Sequence, residues 1–369
     1  MKNEDESGVI SIFTEAGRYY KLKKYEAAID LYSKVITLDS QYETAYLNKG
    51  ACLINLGHYQ EALQILDQAI KINPDNIKAY HNKIYALKEL NDYENLVVCY
   101  DKLIKFYPKE VTNYHEKAQA LMKLDRLQEA ITCYNQVINL DPNDYKTYNA
   151  KGFTLSLLGR FEEAIECYNK AIEIKNDYID AYYNKGSALS LLGKFEEAIE
   201  CCNQLIRLKP EEVDSYINKA KAQTALGKYQ EAANCYDQAI EIEPKNYESY
   251  RNKGITLTLQ GELDEAIRCY DYAISLNPQD TSSYFNKGAA LSKLSRLDEA
   301  IECGIQLIKL QPEEASFYFN LGATLVASKQ PKNAISYFEK VIELDPNFPN
   351  IYDAKEDALY AIGQTNEDL

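Results

Sequence analysis

The 369-residue sequence predicts an all-α fold, a solenoid of stacked antiparallel helix pairs. Three observations predict it. The chain falls into rows of 34 residues that begin at 9, 43, 77, 111, 145, 179, 213, 247, 281 and 315, with a partial row from 349 and no insertion anywhere. Each row carries two stretches with apolar and small residues at helical spacing, separated by a turn signal. A helix pair of this size cannot bury its own apolar face, but stacked neighbours can.

The opening residues 1–8, MKNEDESG, are acidic and polar, and disorder is expected there. From the second row onward the fourth place is Tyr (Tyr46, Tyr80, Tyr114, Tyr148, Tyr182, Tyr216, Tyr250, Tyr284, Tyr318), and Tyr352 continues the series. The eighth place is usually Gly or Ala, the twentieth Ala and the thirty-second Pro. Row six shows the grammar. Its first helix, DAYYNKGSALSLL from Asp180, stops at Gly193, and its second, FEEAIECCNQLIRL from Phe195, opens on Glu residues that favour a helix N-terminus before Pro210 closes the row. Row three has Ile84, Leu96 and Leu103 where most other rows have smaller residues, which predicts splayed or repacked helices. In row nine Gly304 replaces a bulky aromatic and predicts a local cavity. Pro331 opens the second helix of row ten, where a missing N–H is tolerated. Residues 349–362 read as a solvating cap helix and 363–369 as a polar tail.

These residues, at this period, resemble the tetratricopeptide repeat, and the resemblance covers residues 9 to about 362. It implies a right-handed superhelix in which first helices line a concave groove and second helices lie outside. It also implies a non-enzymatic scaffold that binds a protein or peptide ligand, either an extended segment or a helix, in that groove.

The phrase Tyr-X-Asn-Lys recurs in most rows, as in YYNKG from Tyr182. At about 100° per residue the fourth, eighth and eleventh places share one face of the first helix and the sixth lies nearly opposite. The sixth place therefore faces away from the core, and it holds Asn48, Asn82, Asn184, Asn218, Asn252, Asn286 and Asn320, interrupted by Glu116 and Ala150. An Asn amide can pair with both groups of one peptide unit. This stripe is similar to the asparagine ladder of the repeat domain of O-linked N-acetylglucosamine transferases, which holds peptide backbones, although no transferase catalytic domain is present. The plainer reading is that Asn is a solvated residue there. Apolar surface for ligand side chains is expected from Tyr85, Phe153, Tyr183, Ile217, Phe285 and Phe319. Lys78, Lys88, Lys123 and Lys146 make the early groove basic, whereas Asp180, Asp214, Glu211, Glu212, Glu248, Glu313 and Glu314 make the later rim acidic. The Lys at the seventh place, Lys49 through Lys287, lies about 65° from the buried stripe, where its stem can pack and its ammonium reach water. Leu321 replaces it in row ten, so it reads as scaffold.

The formal charge of −15 argues against nucleic acid and anionic membranes as partners. No apolar run approaches the ~18 residues of a membrane span, and a cytoplasmic location is the expectation. Seven Cys recur at the twenty-third place (Cys99, Cys133, Cys167, Cys201, Cys235, Cys269, Cys303) where other rows have Leu31, Ile65 and Tyr337, so Cys fills an apolar slot. Neighbouring helices about 8–10 Å apart keep such thiols beyond disulfide reach. No metal, cofactor or catalytic site is expected. No row has Lys at the fifth place with Asn at the ninth, so the carboxylate clamp that some members of the family use on acidic chaperone tails is not expected. The rival readings are an accessory, substrate-selecting subunit of an enzyme such as a glycosyltransferase, and a self-associating structural solenoid.

Overall fold

The structure, a computed structural model, describes residues 2–367. Among the described residues there are 21 helices and no strand. From row two to row ten the first helix begins on the first residue of the row, at Glu43, Ile77, Val111, Tyr145, Ile179, Val213, Tyr247, Thr281 and Ala315. The second helix begins on the seventeenth residue of each row, from Tyr25 and Tyr59 to Leu297 and Pro331. Pro331 occupies the opening of its helix, as expected.

One backbone position recurs in every row. The fifteenth place of all ten rows is left-handed, the conformation that ends one helix and aims the next. Gly fills it at Gly57, Gly159, Gly193, Gly227 and Gly261, with φ from 73° to 97°. Lys23, Asn91, Asp125, Ser295 and Lys329 adopt it without glycine's freedom, at φ 54° to 60°.

The chain forms two compact units, residues 1–181 and 182–369. In the first, a core over the opening rows gathers Ala16, Ala28, Tyr32, Val35 and Ala45, and another joins rows three and four. Ile84, Leu96 and Leu103 are buried in the latter, and the row-three helix pair packs less extensively than the pairs of rows one, two, four, five and seven to ten, the splaying that the oversized Ile84 and Leu96 cause; Leu103 has a counterpart in Leu307 of the well-packed row nine. The second unit has cores around Tyr216 and Tyr236, around Leu257 and Tyr270, and around Tyr318 and Phe338.

The core motif is a ring in a seat. The twenty-fourth place is usually aromatic, and its ring lies on the eighth-place residue of the same row. A Cβ added to Gly152 would stand 2.6 Å from Tyr168 Cε1, one on Gly254 2.7 Å from Tyr270 Cε1, and one on Gly322 2.5 Å from Phe338 Cε1. Real Cβ atoms do not approach so closely, so these glycines are seats.

The ends differ from the sequence expectation. The first helix runs Lys2–Lys21 through the segment expected to be disordered, because a nucleated helix gains a hydrogen bond with each residue added; Met1 lies outside the described residues. The last helix, Ile351–Glu367, starts two residues later than the expected cap and continues into the expected polar tail, of which 368 and 369 lie outside the described residues. Ile351 and Ala358 are fully buried against the row-ten core.

Candidate peptide-binding face of the first helices

Four of the five predicted aromatics stand out from the first helices. Tyr85, Phe153, Tyr183 and Phe285 are 52%, 43%, 47% and 44% exposed. Tyr183 and Phe285 occupy the fifth place of their rows and Tyr85 and Phe153 the ninth; such rings contribute heavily to interfaces, and large side chains left in water are informative when they recur at set places of the repeat. Phe319 does not join them. It packs on Phe338 and Phe348, with centroids 6.0 and 5.1 Å apart, and closes the end of the array. Ile217 is also a correction: it is buried in the core around Tyr236, not in a groove.

The asparagines divide by what lies sixteen residues upstream, at the twenty-fourth place of the preceding row. Asn48 is hydrogen-bonded to the hydroxyl of buried Tyr32. Glu116, which interrupts the series, accepts from Tyr100 Oη at 3.1 Å and from the Lys88 ammonium. Burial works to raise the Glu116 pKa, but the hydrogen bond and charge of Lys88 and the hydrogen bond of Tyr100 hold it below the ordinary carboxylate value. Tyr236 instead bonds Thr224 and Thr256, and Asn252 Nδ2 is buried with no partner among the described residues. Asn286 donates to its own helix at Ser282 O, 2.8 Å away. Asn184 is half-buried. Where the upstream residue is not aromatic (Leu66, Cys202, Gly304), Asn82, Asn218 and Asn320 line cavities.

Two of those cavities share a composition. One of about 370 Å³ has Phe285 and Asn320 in its wall, and one of about 210 Å³ has Tyr183 and Asn218. In each, the aromatic at the fifth place of one row meets the Asn at the sixth place of the next. In the first unit Tyr85 and Asn82 border a cavity of about 730 Å³. The cavity expected from Gly304 is thus present. Cys202 does the same in row six, and sequence reading missed it because the adjacent Cys201 is an ordinary twenty-third-place cysteine. Row alignment at the twenty-fourth place would have found it.

The charged residues on this face are largely committed. Arg251, at the fifth place of row eight, pairs with Asp280 at 3.2 Å and lies over the Tyr247 ring. The seventh-place lysines reach back to the twenty-fifth place of the preceding row: Lys117 to Asp101 at 2.6 Å, Lys253 to Asp237 at 2.7 Å, Lys287 to Asp271 at 2.6 Å, and Lys83 to Asp67. Their side chains are only 13–21% exposed, which makes them scaffold that ties row to row.

All nine cysteines are free and buried. Burial pushes Cys52 and Cys202 up to about 12 and Cys99, Cys269 and Cys303 up to about 11, a nearby Lys only partly offsetting it in the last three. These thiols are apolar filling rather than nucleophiles. Among the described residues no cluster of His, Cys, Asp or Glu is placed to hold a metal ion. Among them, too, no helix is long and apolar enough to cross a membrane.

Models described as tetratricopeptide repeat match residues 19–88, 179–212, 213–246, 247–280, 269–302 and 315–348, and one described as TPR repeat matches 118–159 and 155–193. The chain belongs to the tetratricopeptide repeat family. A solved tetratricopeptide repeat protein from Parabacteroides merdae, 20% identical, covers 68% of this chain and 98% of its own with a TM-score of 0.51, and shares the fold. YrrB, described as a TPR protein with an unusual peptide-binding site, is 23% identical over 52% of this chain and 99% of its own, with a TM-score of 0.44. MamA is 25% identical over 46% of this chain and 92% of its own, also at 0.44. No curated protein matches the chain.

Proposed function

We propose that this tetratricopeptide repeat protein is a non-enzymatic scaffold that holds an extended peptide or a helix of a partner protein along its first helices. The observation that carries this reading is the repeated pairing of an exposed aromatic with an asparagine at a cavity: Tyr183 with Asn218, and Phe285 with Asn320. Aromatic surface supplies affinity through burial. The amide supplies a donor and an acceptor for a peptide backbone, whose groups lose water on binding and must be paired. With rows ~9 Å apart and an extended chain advancing ~3.3 Å per residue, each asparagine meets roughly every third ligand residue.

The test is an affinity capture from the source cytosol, followed by titration of a synthetic peptide from the captured segment. The variant combining N82A, N218A, N286A and N320A is expected to bind that peptide at least tenfold more weakly, with its thermal midpoint within a few degrees of wild type. Equal binding by the variant, or protection of the second helices alone in hydrogen exchange, would overturn the reading.

A further inference from the structure

We propose that the cavity at Gly304 is a socket for an aromatic side chain of a bound peptide whose flanking residues are neutral or basic. The proposal rests on the peptide-binding reading of the first helices and specifies its ligand.

The chain itself supplies the template for the occupant. In the row before, Tyr270 sits on Gly254, and in the row after, Phe338 sits on Gly322. Row nine keeps the seat, Gly288, and lacks the ring, because its twenty-fourth place is Gly304. An added Cβ on Gly288 meets only Cys303 Cβ at 3.4 Å and Ala300 O at 3.9 Å, ordinary contact distances. The vacated space is about 370 Å³, walled by Gly288, Gly304, Leu307 and Leu321, with Phe285 and Asn320 also in its lining. An apolar cavity of about 150 Å³ is enough to hold benzene.

Loss of the ring also removes a hydroxyl. Tyr32 and Tyr100 bond the sixth-place residue of the next row, whereas Gly304 offers nothing to Asn320, which is exposed. Asn320 can therefore hold the backbone of a peptide whose ring lies in the socket. Charge favours a basic neighbour. The chain carries −15, no cation lines the cavity, and Glu313 and Glu314 are exposed in the turn just ahead of Phe317 in its wall. The smaller space beside Cys202 has the same construction, with Gly186 facing Cys201 Cβ at 3.3 Å.

The experiment is a selection of displayed random twelve-residue peptides against the full chain, followed by titration of the enriched sequences as free peptides. Enriched peptides are expected to carry Phe or Tyr beside Lys or Arg, and to bind G304Y, which refills the seat from within, at least tenfold more weakly. A Cβ at Gly304 approaches Leu321 to 3.0 Å, so A323Q, on the exposed ninth place of the cavity wall, serves as a second block that adds bulk without charge and leaves the core untouched. Loss of binding in both variants, with unchanged helical circular dichroism, supports the socket. Enrichment without aromatics, or full binding by A323Q, overturns the socket and leaves the peptide-binding reading intact when the asparagine variant still loses binding. Failure of the wild-type chain to enrich any peptide overturns both.

Discussion

Gly254 and Gly288 occupy the same place in neighbouring rows, yet they answer to different neighbours. Gly254 carries the Tyr270 ring, whereas a Cβ on Gly288 would meet only Cys303 Cβ at 3.4 Å and Ala300 O at 3.9 Å. Replacing either with Ala gains helix propensity, about 1 kcal/mol. Gly254→Ala must also displace the ring, an overpacking cost of about 1 kcal/mol or more. Rows with Ala118 under Tyr134 and Ala220 under Tyr236 show that a ring can accommodate a methyl, which limits that cost. Urea denaturation is expected to find G288A more stable than wild type and G254A less stable than G288A; equal midpoints would mean the seat is not occupied in solution. Legibility at this scale was uneven. Gly304 announced its cavity because Gly is the extreme loss of volume, whereas Cys202 was hidden by a row of cysteines. The roles of Asn48 and Asn252 depend on tyrosines sixteen residues upstream, which helical periodicity within one row does not reveal.

Between elements, the seventh-place lysine is the joint. Lys253 lies 2.7 Å from Asp237 of the preceding row and 3.6 Å from Glu265 of its own, with its stem buried. The carboxylates are about half exposed, so the charge itself is worth little, roughly 0.5–1 kcal/mol. Most of the contribution comes from methylenes packed between helices. K253M is therefore expected to retain most of the stability that K253A loses, measured as the shift in urea midpoint; the reverse order would make the ion pair the dominant interaction. This role was readable in the sequence from Leu321 alone, since a position that tolerates Leu is half packed. The specific partner was not readable, because the twenty-fifth place holds Asp67, Asp101, Asp237 and Asp271 in some rows and Ser, Asn, Ile305 or Glu339 in the others.

At the scale of the molecule, buried thiols and phenols set the response to alkali. Five cysteines are raised from 9.0 to about 11 or 12, and Tyr134, Tyr168 and Tyr270 from 10.0 to about 12, all chiefly by burial. The folded chain keeps these protons above pH 9 while the unfolded chain releases them. Stability is thus full below about pH 9 and is lost as pH rises towards 12. The thermal midpoint is expected to hold up to about pH 9 and to fall steadily from there to about pH 11, and a thiol reagent at pH 8 to react with nine cysteines only after denaturation; rapid reaction of the native chain would contradict the burial. The fold was legible at this scale because a 34-residue frame without insertions leaves few alternatives, and the left-handed fifteenth place gives that frame its physical basis. Such uniformity makes the rows interchangeable parts. Excising residues 247–280 would place Thr281 directly after the turn that ends row seven and restore the same kind of joint, with the places beside Cys202 and Gly304 one row closer together. The array is in this sense a ruler graduated in whole rows, on which the distance between two anchoring points is set by counting rows.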